Sequence, residues 1–386
     1  MSGKKLLLPA VLLIGMHTTA QKSKSSDSFT SVDSNSFQDA SHHWYDIAEK
    51  DAVIHPLPGR PKYRATELKA IADNILLYQK ENGGWPKNYD MMAILSDRQK
   101  DTLLGAKSAL NTTFDNRTTY TQIACLSQVY YVLRDEKYKA AALKGLQFLL
   151  SAQYDNGGWP QYFPLEAGYS RHITFNDDAM GGVMWLLKDI IDGKIQYGFI
   201  DENLKLRLKK AFDKGLECIL KTQINDTGKP TAWCQQYDEV TLQPAWARTF
   251  EPPSICNSES VNLVLLLMSI QKPNKTIITA VDNAVDWFKA SKIKGIRVKT
   301  IPAPEMVTKY TISRHDRIVV TDTAAPPIWT RYYELKSHRP LFCNREYKIV
   351  YTLAEVDRER RDGYGWYTYE PQKVLNRYAA WKKKLR

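Results

Sequence analysis

Two short acidic motifs and one cationic run hold the residue types that could carry chemistry. TFDNR begins at Thr113 and TFNDD at Thr174, and each sets Asx side chains just ahead of an apolar stretch with helical spacing. Asp115 and Asp177, with the amide oxygen of Asn116 beside the first, would make an oxygen-rich and adaptable site if they converged. Such donors suit Ca²⁺ better than Zn²⁺, which prefers His and Cys. Asp and Asn are also favoured helix N-caps, so capping is the competing reading. The cationic run WTRYYELKSHRPLFCNR, residues 329–345, carries Arg331, Arg339 and Arg345, and Arg248 lies in the aromatic stretch PAWARTFE. A guanidinium fork grips a carboxylate through two hydrogen bonds, so several together would hold a polyacid; a solvated charged face is the plainer alternative. With Trp 10 and Tyr 22, many in these same stretches, flat surfaces for sugar stacking are also available. No nucleophile elbow, P-loop, HExxH or dinucleotide fingerprint is present. The seven histidines do not cluster at metal spacing, and His172 and His338 read as structural.

These residues need elements to position them. Apolar residues fall at helical spacing over 67–79, then in three successive pairs: 121–133 with 138–151, 179–191 with 204–222, and 258–270 with 277–290. A repeat ties the pairs together. QKENGGW from Gln79 recurs as QYDNGGW from Gln153, a displacement of 74, and a degenerate third copy runs from Gln223 to Trp233. Each clear copy closes a helix with Gly and follows it with Trp-Pro, a stop signal. Two helices and their loops fill such a period. The expected fold is mainly α: an incomplete (α/α)3 toroid of three helical hairpins, bringing the two acidic motifs to one mouth. An irregular helical bundle is the alternative. Beyond about residue 293 short β-branched runs (296–301, 317–321, 347–351) alternate with Pro, Gly and aromatics, so residues 294–386 read as short strands and long loops capping the helical body.

The ends and the charge complete the picture. Lys4 and Lys5 precede an apolar run over 6–16 and then Thr-Thr-Ala-Gln, the pattern of a signal peptide cut after Ala20. That run is too short for a permanent span. Residues 21–43 hold eight serines from Ser23 to Ser41 and read as a flexible linker, with order beginning near Trp44 and a single module over 44–386. The net charge of +12 is uneven, since the last 94 residues contribute +10. A basic face suits an anionic partner, and export argues against nucleic acid, leaving an acidic polysaccharide with no membrane partner. A monomer in the periplasm or the medium is expected. Five cysteines leave at least one unpaired; a Cys234–Cys256 bridge is open.

Together these segments are familiar. ENGGWPKN (81–88), TFDNRTTYTQ (113–122), NGGWPQYFP (156–164), HITFNDDAM (172–180), AWCQQYD (232–238), ARTFEPPS (247–254), IWTRYYE (328–334) and ERRDGYGWY (359–367) resemble, in order, the pectate lyases of polysaccharide lyase family ten. The resemblance implies an (α/α)₃ toroid and Ca²⁺-assisted β-elimination of polygalacturonate, leaving a 4,5-unsaturated end. It implies calcium and catalytic roles for Asp115 and Asp177, with Asn116, Arg248, Arg331 and Arg339 at the substrate and Arg345 as the base. The chain departs from the SGRD-like context usual there, reading FCNREY around Arg345. An arginine base also needs a depressed pKa or alkaline conditions. Two other readings share parts of this pattern. Gln-x-x-x-Gly-x-Trp resembles the repeat of terpene cyclases, and a non-catalytic acidic-glycan module would need the arginines without the aspartates.

Overall fold

The computed structural model describes residues 29–46, 53–55, 59–308 and 312–385. The expected leader, 1–20, and the first part of the serine-rich segment lie outside them. The chain is mainly α-helical, in the order α1 (Gln38–Asp46), α2 (Leu68–Tyr78), α3 (Asp97–Gly105), α4 (Tyr120–Leu133), α5 (Glu136–Ser151), α6 (Ala179–Ile191), α7 (Glu202–Lys221), α8 (Asn257–Ser269), α9 (Lys275–Ala290), α10 (Arg358–Gly363) and α11 (Pro371–Lys384). The seven helices read from apolar spacing all form, within two residues of the expected limits. Helix α4 pairs with α5, α6 with α7 and α8 with α9, while α2, α4, α6 and α8 contact one another in series. The inner helices are therefore the apolar ones: in α6 even Gly181 and Gly182 are buried, whereas α7 is charged along its outer face. No helix among the described residues is long and apolar enough to cross a membrane.

The repeat is structural, and it has four copies rather than three. The indole Nε1 of Trp85, Trp159, Trp233 and Trp329 donates to the carbonyl of Ile75, Leu149, Ile219 and Phe288, each on the preceding helix. All four rings are fully buried. The glutamine that opens each of the first three copies makes a second recurrent bond. Gln79, Gln153 and Gln223 donate to the carbonyls of Ala141, Ala211 and Ala280 on α5, α7 and α9, locking each loop to the next hairpin. Glycine is required at the turn: Gly157 has φ +95°, and a Cβ there would stand 2.0 Å from the Lys214 carbonyl oxygen.

Two expectations about the periphery are corrected, and one open question is answered. Order begins before Trp44: Ser34–Phe37 forms a 3₁₀ turn running into α1, with Val32, Phe37 and Trp44 buried, so apolar residues among the serines anchor part of the supposed linker. Residues 294–386 contain more regular structure than short strands. They carry a long antiparallel hairpin of β4 (Ile296–Val307) with β5 (Ile312–Thr321), and they end in α11, which packs on α8 and α9. The runs 296–301 and 317–321 marked part of the hairpin, while Pro302 and Pro304 masked the second half of β4. The remaining strands are β1 (Ile173–Thr174), β2 (Gln236–Tyr237), β3 (Ile255–Cys256), β6 (Trp329–Thr330), β7 (Tyr332–Tyr333), β8 (Pro340–Cys343), β9 (Ile349–Val350) and β10 (Tyr367–Thr368). They include β1, paired with β2. Finally, all five cysteines are free and buried, Cys234 and Cys256 included.

Candidate active site

The acidic motifs fold alike because the same backbone bonds pin them to the tryptophan loops. The amide of Thr113 donates to Trp85 and that of Thr174 to Trp159, while Phe114 and Phe175 donate to Gln161 and Gln235. Each motif then forms a single 3₁₀ turn, Asp115–Arg117 and Asn176–Asp178, in which Asn116 and Asp177 hold left-handed φ values of 48° and 50°. Asx residues tolerate that conformation. By backbone position the partner of Asp115 is therefore Asn176, and that of Asp177 is Asn116. The two carboxylates come from adjacent positions of the turn, not from the same one.

They share one cleft of about 430 Å³, lined by Asp115, Asn116, Asn176 and Asp177 together with Arg248, Glu251, Arg331, Arg360 and Tyr364. His43, Lys87, Gln161, Tyr169 and Gln236 complete the lining with Asn88 and Gly363. Asp115 is buried, accepts from Lys87 Nζ at 2.8 Å through Oδ2, and has no hydrogen-bond partner for Oδ1. Burial pushes its pKa up, but the ammonium of Lys87 outweighs this and holds it below the usual carboxylate range. For Asp177 the charges of Arg331 and Arg248 offset its surroundings only in part. Burial first, and then the negative charge of Asp115, raise its pKa to about 7.

The arginines differ sharply. Arg248 grips the buried Glu251 through Nε at 2.8 Å and Nη2 at 2.5 Å, leaving Nη1 outside the pair on a side chain that is 44% exposed. Burial lowers its pKa, but Glu251 drives it well above the ordinary value. Arg331 donates to Asn176 Oδ1 at 3.0 Å and is ion-paired with Glu259 behind the cleft wall. Arg360 lies over the Phe250 ring at 3.9 Å, and burial, joined by the charges of Arg345 and Arg248, lowers its pKa.

Two residues expected at the site stand elsewhere. Arg345 is not a lining residue: it is paired with Glu359 at 3.1 Å, and its guanidinium stands 5.2 Å from the centre of the Phe250 ring that Arg248 and Arg360 also meet, at 5.0 and 3.9 Å. Arg339 lies over Tyr351 at 3.9 Å and is likewise not a lining residue. His172 and His338 make structural contacts, to Glu239 at 2.9 Å and Asp226 at 3.0 Å. Sequence reasoning passed over Lys87, Gln161, Glu251, Arg360 and Tyr364. For the first two a signal existed: Lys87, Gln161, Gln235 and Arg331 each stand two residues after a repeat tryptophan, and three of the four line the cleft.

Hard oxygen donors and guanidinium groups in one cleft are the groups that binding a polyanionic sugar would need, and comparison with known families narrows the choice. The family described as pectic acid lyase matches residues 79–375. The chain belongs to that family. Among solved structures, this pectate lyase is similar to Family 10 polysaccharide lyase from Cellvibrio cellulosa, at 30% identity over 80% of this chain and 90% of that one, with a TM-score of 0.67. An aspartate-to-alanine mutant of that enzyme, solved in complex with trigalacturonic acid, matches at the same identity and TM-score and over 91% of its own length. Comparison with curated proteins gives no match. The matched span of this pectate lyase starts at Gln79, so α1 and α2 lie outside it.

Proposed function

We propose that this pectate lyase cleaves α-1,4-linked polygalacturonate by β-elimination, with Ca²⁺ as cofactor and an arginine taking the C5 proton. The observation that carries the reading is that Asp115 and Asp177 line one cleft together with Arg248, Arg331 and Arg360. The ligand of the similar Cellvibrio enzyme, trigalacturonic acid, fits the same chemistry.

The donor set fits a calcium ion. Asp115 offers a buried carboxylate oxygen, Oδ1, that no protein group satisfies, and Asp177 and Asn116 bring further hard oxygens to the same cleft. When bound, calcium would neutralise a uronate carboxylate and so acidify the neighbouring C5–H. The chain's own groups supply the rest. Arg331, held by Glu259 and Asn176, offers a fixed cation to a uronate carboxylate. Arg360 keeps positive charge at the cleft wall, where negative charge develops as the C5–H bond breaks. Arg248 replaces Arg345 as the residue nearest the proton, because it alone among the lining arginines is substantially exposed. Loss of the proton expels O4 and leaves the C4=C5 double bond. Arg345 and Arg339 then act from outside the cleft, through Glu359 and the aromatic wall.

The finer architecture belongs to the same reading. The serial contacts of α2, α4, α6 and α8, each of the last three paired with an outer helix, support the (α/α)₃ toroid. Export through the leader at 1–20, and action as a monomer outside the cytoplasm, suit a polymeric plant-wall substrate. The test is direct: polygalacturonate incubated with the protein and Ca²⁺ should gain the ultraviolet absorbance of a conjugated unsaturated uronate. Reducing ends that appear without that absorbance would refute elimination.

A further inference from the structure

The segment ahead of the matched span reaches the cleft. Ser34–Phe37 and α1 precede Gln79, where the family match starts, yet His43 of α1 is a lining residue of the cleft. Several contacts hold this arm in place. Phe37 and Trp44 are each 2% exposed, and the Val32 amide donates to the Ala65 carbonyl at 2.8 Å. The Trp44 ring stands 6.1 Å from that of Tyr89, and its Nε1 donates to the Ile54 carbonyl at 3.4 Å. Helix α1 also packs on the turn Asp115–Arg117, and Arg117 Nη1 donates to the Asn35 carbonyl at 3.5 Å. His43 is thus positioned twice over. Its neighbour Trp44 meets Tyr89, next in sequence to the lining pair Lys87 and Asn88, and its helix rests on the turn that carries Asp115 and Asn116.

The imidazole itself is left without a hydrogen bond. Nδ1 is buried and has no partner among the described residues, and Nε2 stands 3.7 Å from the Asp39 carboxylate, beyond hydrogen-bond reach. Burial, only partly offset by Asp39, lowers its pKa, so the ring is neutral at about pH 7. A neutral imidazole offers one donor and one acceptor. The cations of the cleft, Lys87, Arg248, Arg331 and Arg360, are donors only and suit carboxylate oxygens. A sugar hydroxyl both donates and accepts, which is what the imidazole matches. We propose that His43 is a substrate-binding residue that takes a ring hydroxyl, O2–H or O3–H, of a galacturonate in the cleft, with α1 holding it there. This inference rests on the polygalacturonate reading. The arginines would then read the charge of the polymer, and His43 the free hydroxyl. An O-acetyl group at either position removes the hydroxyl hydrogen and adds bulk against a helix fixed by Trp44, so His43 sets a preference for unacetylated chains.

The test uses the full chain with Ca²⁺ and two substrates, polygalacturonate and the same polymer acetylated at O2 and O3. The wild type should show kcat/KM about tenfold lower, or less, on the acetylated polymer. His43→Ala should raise KM on the plain polymer about five- to tenfold with kcat within about twofold, and cut the discrimination to about twofold. His43→Gln, which keeps a donor and an acceptor, should recover part of the affinity. Phe37→Ala loosens the arm and should raise KM in the same direction. Added to His43→Ala it should change KM by less than about twofold, since both act through one contact. Unchanged KM in His43→Ala, or discrimination equal to that of the wild type, would overturn the inference. Effects of Phe37→Ala and His43→Ala that multiply in full would overturn the role of the arm. If His43→Ala fails to fold, spectra of isotope-labelled histidine in the wild type and His43→Gln decide. Trigalacturonic acid with Ca²⁺ should shift the imidazole resonance that the variant lacks, and an unmoved resonance would overturn the inference. A shift of that resonance in a wild type that makes no unsaturated product would support the His43 contact and refute elimination alone.

Discussion

The ammonium of Lys87 lies 2.8 Å from Asp115 Oδ2, so this carboxylate already holds a cation supplied by the chain. Under the proposed calcium reading, Lys87 competes with the ion for Asp115 while keeping that carboxylate charged. Lys87→Met should destabilise the metal-free protein by about 1–3 kcal/mol, because a buried charge loses its partner. The same variant should show a larger calcium-induced rise in Tm than the wild type. Thermal unfolding with calcium and with a chelator measures both, and an unchanged calcium response would show that Lys87 does not share its site.

Asp177 sets a pH dependence. Its folded pKa, about 7, stands above the ordinary value of 3.8. A carboxyl raised on folding contributes stability that is fully present below pH 3.8 and lost as pH rises through about 7. The metal-free protein should therefore lose stability from this group over that window. Calcium binds the carboxylate form, so its stabilisation should be larger at about pH 8 than at about pH 5.5. Asp177→Asn should remove most of the calcium response at both. A calcium-induced Tm shift equal at the two pH values would place the ion elsewhere.

Arginine substitutions separate the residue at the proton from its supports. Arg248→Ala should lower kcat by about 1,000-fold or more, since the proposed reading sets this group at C5–H. Arg345→Ala should cost about tenfold, acting through Glu359 and the Phe250 wall. Steady-state kinetics on polygalacturonate checks the order. A greater loss for Arg345→Ala than for Arg248→Ala would reverse the assignment.

The fold was legible where the sequence repeats itself. Gln79, Gln153 and Gln223 with their tryptophans marked the hairpins, and Thr-Phe before each Asx pair marked the cleft. The acidic motifs were the more legible part of the cleft, and the structure brings Asp115, Asn116 and Asp177 to its lining. The arginine half was less legible, because its residues come from long connections whose folding is set by tertiary contacts rather than local pattern. Spacing from Trp329 could not show that Arg345 turns toward Glu359, nor that Arg360, 15 residues later in the sequence, fills the cleft wall. Glu251 was hidden for another reason: a buried acid among aromatics has no periodicity, and only its bond to Arg248 reveals it.

The turn glycines give a test of the scaffold. Gly157→Ala places a Cβ 2.0 Å from the Lys214 carbonyl oxygen at a φ of +95°, so it should cost about 2–4 kcal/mol. Gly105→Ala, where nothing stands within 4 Å, should change stability by less than about 0.5 kcal/mol. Denaturant unfolding of the two variants measures the contrast. Equal stabilities would mean that the repeat loop does not press on α7.

The central claim is that Asp115 and Asp177 hold calcium while the arginines of the same cleft drive elimination, and product absorbance tests it most directly. Wild type, Asp115→Asn and Asp177→Asn are compared on polygalacturonate, each with calcium and with a chelator. The account predicts rapid gain of conjugated ultraviolet absorbance for the wild type with calcium only, and a loss of about 100-fold or more in each variant. Full activity in the chelator, or wild-type rates in both variants, would contradict it.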